Sequence, residues 1–162
     1  MIEIVTGDIF ESTDKYLCHQ CNCVTHLAAH LAKDVFAKYP YADIYTPRGN
    51  STYADTPGTI IIKGNGQDER YVVALLGQYY PGRAKYPKSS LDGIPVREKY
   101  FYHSLLRLAK VDDLESIAFP WRVGCGAAGG DWERYLGIIT NFANYVEENG
   151  VVVKIYRREG DE

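Results

Sequence analysis

Apolar and polar residues alternate with a period of two near both ends of the chain and in its middle, with helical periods between. Ile2, Ile4 and Thr6 share one face of a first strand, and Tyr16-Leu17-Cys18-His19-Gln20-Cys21-Asn22 reads as a second. From Thr25 the spacing changes. Leu27, Leu31, Val35 and Tyr39 recur every four residues and Phe36 widens the stripe, which predicts an amphipathic helix capped by Thr25, with Pro40 just past its end. Tyr41 to Thr56 reads as irregular and polar. A hairpin follows, with Gly58–Lys63 and Arg70–Leu76 flanking Gly64-Asn65-Gly66-Gln67-Asp68. A long loop then runs from about Gln78 to Ile94.

A second helix is expected from near Pro95, a residue welcome at a first helical position, to near Lys110. Ser116-Ile117-Ala118-Phe119-Pro120 reads as a short buried strand. After a glycine-rich loop, Trp132, Tyr135, Leu136, Ile139, Phe142 and Val146 make the apolar face of a third helix that stops by Gly150. Val151 to Tyr156 is the last strand, and the largely hydrophobic run from Val151 to Ile155 suggests burial on both faces. The order β, β, α, β, β, α, β, α, β predicts a layered α/β domain around a mixed sheet. With 162 residues and no internal repeat or linker, residues 1–162 are expected to form a single domain.

Composition narrows the class. Apolar residues make up 46% and charged residues 24%, which excludes a disordered or collagen-like chain. No apolar run approaches the ~18 residues of a membrane span, and the N-terminal strand lacks the features of a secretion signal, so a cytoplasmic location is expected. A net charge of −3 argues against a broad nucleic-acid or anionic-membrane footprint. Basic residues do gather locally at Arg83, Lys85 and Lys88, near Tyr79, Tyr80 and Tyr86. That loop suits an anionic small ligand, a lid over a pocket, or plain solvation.

Cys18, Cys21 and Cys23 precede His26 and His30, but strand alternation turns Cys18 away from the other two cysteines. The spacing reproduces no zinc knuckle, so burial on a core strand is the expected role and no metal or redox cofactor is implied.

The richest stretch is Phe119-Pro120-Trp121-Arg122-Val123-Gly124-Cys125-Gly126-Ala127-Ala128-Gly129-Gly130-Asp131-Trp132. Seven small residues, Gly124 to Gly130, join a buried strand to a helix N-terminus, an arrangement suited to phosphate or another oxyanion. The run matches G-x-G-x-x-G, yet only one strand follows it, too few for a dinucleotide-binding dehydrogenase. It lacks the Lys and Ser/Thr of a P-loop, and Asp131 stands where a cysteine phosphatase would carry its arginine. Cys125 therefore reads as a small buried thiol, and Asp131 first as the cap of the third helix.

Gly7-Asp8-Ile9-Phe10, Cys21-Asn22-Cys23-Val24 and the Gly124–Trp132 loop together resemble the macrodomain family, an ADP-ribose-binding module of three-layer α/β/α fold. The resemblance covers nearly the whole chain. It is nearest the branch with a G-C-G-x-x-G-G-D-W loop, which includes ADP-ribose 1''-phosphate phosphatases and lysine-using ADP-ribosyl hydrolases. It implies that Asp8 accepts the adenine amino group and Ile9 closes over the ring. Asn22 would lie near the distal ribose, with Gly124, Cys125, Gly126, Ala127, Ala128 and Gly129 around the diphosphate. On spacing alone, the favoured reading of Asp8 is a turn residue after Gly7.

This chain departs from the family at points that bear on chemistry. Gln20-Cys21-Asn22-Cys23 replaces the usual Asn-Ala-Ala-Asn run, and Gln78 stands near the hydrolases' lysine. Glutamine forms no covalent adduct with a ribose. The remaining chemistry is an activated water, with His26 or His30 as general base and Asp131 or Asn22 orienting the water. The expected activity is hydrolysis of a group on the distal ribose, the phosphate monoester or a protein-linked ADP-ribose. The alternatives are a non-catalytic reader of ADP-ribosylated proteins, or a site for another nucleotide.

Overall fold

The computed structural model describes residues 1–49 and 52–161, so Asn50 and Ser51 of the expected irregular segment lie outside the described residues. Six strands form one sheet: β1 (Ile2–Thr6), β2 (Tyr16–Cys21), β3 (Ile60–Lys63), β4 (Tyr71–Leu76), β5 (Ser116–Pro120) and β6 (Val152–Arg157). Their spatial order is β1-β6-β5-β2-β4-β3, parallel throughout except for the β3–β4 hairpin. Three helices connect them: α1 (His30–Lys38), α2 (Ile94–Leu108) and α3 (Trp132–Glu147).

Alternation along β2 divides the core. Tyr16 and Cys18 point to one face, where Phe101, Leu105 and Leu108 of α2 and Tyr135, Ile139 and Phe142 of α3 pack. Leu17 and Cys21 point to the other, against Ala32, Val35 and Phe36 of α1. The result is three layers, α/β/α, around a mixed sheet. All four cysteines are buried and free. Burial pushes the Cys21, Cys23 and Cys125 thiols up to about 12, so they stay protonated. Among the described residues no His/Cys/Asp/Glu group has a metal-binding arrangement, and no helix is long and apolar enough to cross a membrane.

Three local expectations need correction. The first helix begins at His30, not at Thr25, and Leu27 is 71% exposed. In residues 23–29 Asn22 Oδ1 accepts the amides of Val24 and Thr25 at 3.0 and 2.9 Å in a local turn, and Arg48 holds at 3.0 Å the Thr25 carbonyl that a helix starting there would use. Second, the segment after Pro40 is not simply polar. Short 3₁₀ turns at Pro40–Ala42 and Thr46–Arg48 seat Ala42, Ile44 and Tyr45 in the core beside α1. Third, the last strand is not buried on both faces. Val153 and Ile155 are fully enclosed against the α3 side, whereas Val152 is 40% exposed, because α1 packs over β2 and β4 and leaves this part of the sheet uncovered. Ile4, on the edge strand β1, is 49% exposed on the other face, the one that Ile2 shares with Val153 and Ile155.

Candidate functional site

The strand order locates the site. From β2 the chain crosses over α1 toward β4 on one side, and from β5 it crosses over α3 toward β6 on the other. The loops leaving the carboxyl ends of the adjacent strands β2 and β5 therefore diverge, opening a crevice at a topological switch point. A cleft of about 320 Å³ lies there. Gln20, Asn22, Thr25 and His30 line one side, Gln78, Pro81 and Gly82 a second, and Trp121 to Ala128 the third.

The glycine loop is shaped from inside as much as for a ligand. Gly124 has φ +77°, and a Cβ on it would stand 2.6 Å from the Tyr135 ring and 2.8 Å from Gln20 Oε1. Gly130 is pressed against the same ring. The turn consumes several amides: Cys125 N–H donates to Arg122 O at 2.8 Å, Gly129 N–H to Gly126 O and Gly130 N–H to Gly124 O, both at 3.1 Å. The consecutive amides of Gly126, Ala127 and Ala128 meet no acceptor among the described residues, and all three residues line the cleft. Successive unpaired N–H groups on a concave wall form an anion-binding nest. The charge around them agrees. Among the described residues the lining includes Arg122 and His30 but no Asp or Glu, although the chain as a whole is acidic.

Two lining residues adopt the left-handed region that side chains rarely occupy, His30 at φ +54° and Arg122 at φ +59°. Such conformations persist where the surroundings over-determine them, and they concentrate at ligand sites. Opposite the nest, Asn22 is buried and fully engaged. Its amide nitrogen and its own N–H both donate to the Tyr45 hydroxyl, at 3.1 and 2.9 Å, while its Oδ1 accepts the Val24 and Thr25 amides. Gln20 Nε2 donates to Gln78 Oε1 at 2.7 Å, leaving Gln20 Oε1 as a buried oxygen with no donor among the described residues.

The residues singled out from the sequence fall in different places. Asn22, His30, Gly124, Cys125, Gly126, Ala127 and Ala128 line the cleft, and Gly129 follows directly, packed against Arg83. His26 is half-buried on the 23–29 loop and is not part of the lining. Asp131 caps α3 and accepts the Arg134 amide at 3.4 Å, also outside the lining. Asp8 Oδ1 accepts the Phe10 amide at 2.9 Å, which caps a short 3₁₀ turn, and Ile9 is buried in the core. The sequence reading missed Gln20, Tyr45 and the aligned role of Gln78. It also missed Arg97, whose signal was present: it sits on the α2 face shared by Phe101, Leu105 and Leu108, where a charge must find a buried partner.

No protein-family model matches the sequence, and no curated protein matches it. Among solved structures, the chain is similar to the macrodomain of Mycobacterium tuberculosis DarG, at 21% identity over 96% of this chain and 97% of that one, with a TM-score of 0.68. A mutant of the Oceanobacillus iheyensis macrodomain with ADPR matches at 21% identity over 99% of this chain and 87% of that one, TM-score 0.66. Thermosipho africanus DarTG in complex with ADP-ribose matches at 15% identity over 99% of this chain and 42% of that one, TM-score 0.67. Strand order, layering and these likenesses agree: the chain has the macrodomain fold.

Proposed function

We propose that this chain binds ADP-ribose or a close derivative in the cleft between the β2 and β5 loops. The observation that carries the reading is the row of unengaged amides at Gly126, Ala127 and Ala128 on a wall without carboxylates, which suits a diphosphate. Support comes from structural neighbours bound to ADP-ribose. Asp8, whose other carboxylate oxygen has no partner among the described residues, is the adenine acceptor in this reading, with Ile9 beneath it.

For turnover, His30 is the base. It is the one lining imidazole, whereas Cys125 is held protonated by burial and Asp131 is committed to the α3 cap. A water giving a proton to His30 would attack one of two atoms. At the phosphorus of a phosphate monoester it breaks the P–O bond and releases phosphate and ADP-ribose. At the anomeric carbon of a protein-linked ADP-ribose it breaks the bond to the protein side chain, which leaves with a proton. The second reading, a non-catalytic reader of ADP-ribosylated proteins, has two supports. Among the described residues the lining holds no carboxylate. Gln78, paired with Gln20, lies near the position at which the lysine-using hydrolases that the chain resembles would carry their lysine.

Calorimetric titration with ADP-ribose, against AMP and NAD, tests binding. Asp8→Asn preserves the turn cap and is expected to weaken ADP-ribose about tenfold through the lost charged hydrogen bond. Absence of wild-type binding at millimolar ligand would remove the proposal. His30→Ala is expected to lower hydrolysis roughly 100-fold with affinity little changed. Full turnover in that variant removes His30 from the mechanism, and no turnover by the wild type selects the reader. Asp131→Ala separates capping from chemistry: stability should drop about 1 kcal/mol in thermal unfolding, while ligand affinity stays put.

A further inference from the structure

We infer that Arg97 is a positioning residue that ties the two outer walls of the cleft together and sets their separation. The inference rests on the binding reading above. Arg97 lies on α2, behind the cleft, and is 3% exposed. Its guanidinium forms a two-point pair with Asp92, Nη2 to Oδ2 at 2.6 Å and Nε to Oδ1 at 3.1 Å. Its remaining donors go to backbone carbonyls on both walls: Gly82 O at 2.6 Å and Tyr80 O at 3.1 Å on one, Ala128 O at 3.4 Å on the other. Ala128 belongs to the row of unengaged amides, so the same residue offers its N–H side to the cleft and its carbonyl to Arg97.

The pair also fixes the loop after β4. Asp92 accepts the amides of Tyr79 and Tyr80 at 2.7 and 3.1 Å, and Gln78 Nε2 holds Tyr80 O at 2.8 Å. Residues 78–82 are thus a pinned wall. Only a planar fork with five donors reaches a carboxylate and carbonyls on two separate loops at once. A lysine ammonium has three donors on a single atom.

Arg97→Met removes every contact but leaves Asp92 buried without its counter-charge, which endangers folding. Arg97→Lys keeps a cation beside Asp92 and is the informative variant. Two measurements are made on it. Amide hydrogen exchange should rise at Tyr79 and Tyr80 and also at Gly129 and Gly130 across the cleft, with the α3 and β5 core unchanged. ADP-ribose affinity should fall about tenfold, from walls no longer held in register. Exchange that rises on one wall alone, or uniformly through the protein, overturns the coupling, as does unchanged affinity. Failure of the wild type to bind ADP-ribose would instead overturn the binding reading, and the exchange measurement would still decide whether Arg97 joins the walls.

Discussion

Arg48→Ala is expected to lower the unfolding free energy by about 3–5 kcal/mol, the usual cost of removing one partner from a buried ion pair. The Arg48 side chain is 3% exposed and meets Asp55 Oδ2 at 2.7 Å. It also donates to Asn22 O at 2.9 Å and Thr25 O at 3.0 Å, and its guanidinium lies 4.8 Å from the centre of the Tyr45 ring. Truncation would leave Asp55 partly buried without its cation and two carbonyls without donors. Because those carbonyls belong to the turn forming one side of the cleft, ligand affinity should fall in the same variant. Chemical denaturation checks the first effect, and a loss under ~1 kcal/mol would place Arg48 among solvent-screened surface pairs. The structure has an internal reason for a less-than-maximal contribution: Arg48 Nε is buried with no acceptor among the described residues.

Acid will destabilise the protein through His19. This imidazole is 1% exposed, edge-on to Phe36 at 5.4 Å between ring centres and 3.6 Å from the Cys21 sulfur. Burial depresses its pKa from 6.5 to about 4. Above pH 6.5 both folded and unfolded states carry it neutral and no penalty exists. As the pH falls from about 6.5 to about 4 the unfolded chain takes the proton first, so stability declines. Below about 4 both states are protonated and the loss is complete, at about 3 kcal/mol. Urea titrations at pH 7 and pH 4 should show this as a difference between wild type and His19→Gln. The variant loses about 3 kcal/mol less over that interval, whatever its stability at pH 7. Equal pH dependence in the two proteins would mean that His19 is already protonated in the fold or hydrated by local opening.

Much of the architecture was legible from local pattern. Asp131 ahead of Trp132 and Pro95 at the first turn of α2 mark helix starts that the structure keeps. The Gly58–Leu76 region forms the antiparallel β3–β4 pair, because a two-residue period flanking a glycine turn has few other ways to bury its apolar side. The alternation that separated Cys18 from Cys21 and Cys23 holds across the sheet: Cys18 joins the α2–α3 core and the other two the α1 core.

What failed did so where distant groups claim the backbone. Leu27 matches the α1 stripe, yet Arg48 claims the Thr25 carbonyl, the acceptor a helical turn starting there would use, and α1 begins only at His30. Val152 continues an apolar run, yet at the start of β6 its side chain stays 40% exposed, while Tyr156 further along the same face packs against the α1-side core. Arg48 and Arg97 look like surface charges by composition and are among the most buried polar residues in the molecule. The glycine loop could be read as an anion site from its residues. Which of its amides stay unspent, and that His30 borders them while His26 and Asp131 do not, depends on how the chain folds back on itself.

The sequence by itself therefore determined the elements, their alternation, the mixed α/β class and the small-residue loop, since each follows from side-chain period and backbone preference within a few residues. The tertiary structure alone decided the strand order that opens the cleft between β2 and β5, which part of β6 stays exposed, and which charged groups are buried to hold its walls. Those outcomes depend on pairings from 5 to 101 positions apart, such as Asp92 with Arg97, Asn22 with Arg48, Gln20 with Gln78 and Tyr16 beside Ile117, whose partners no local pattern names.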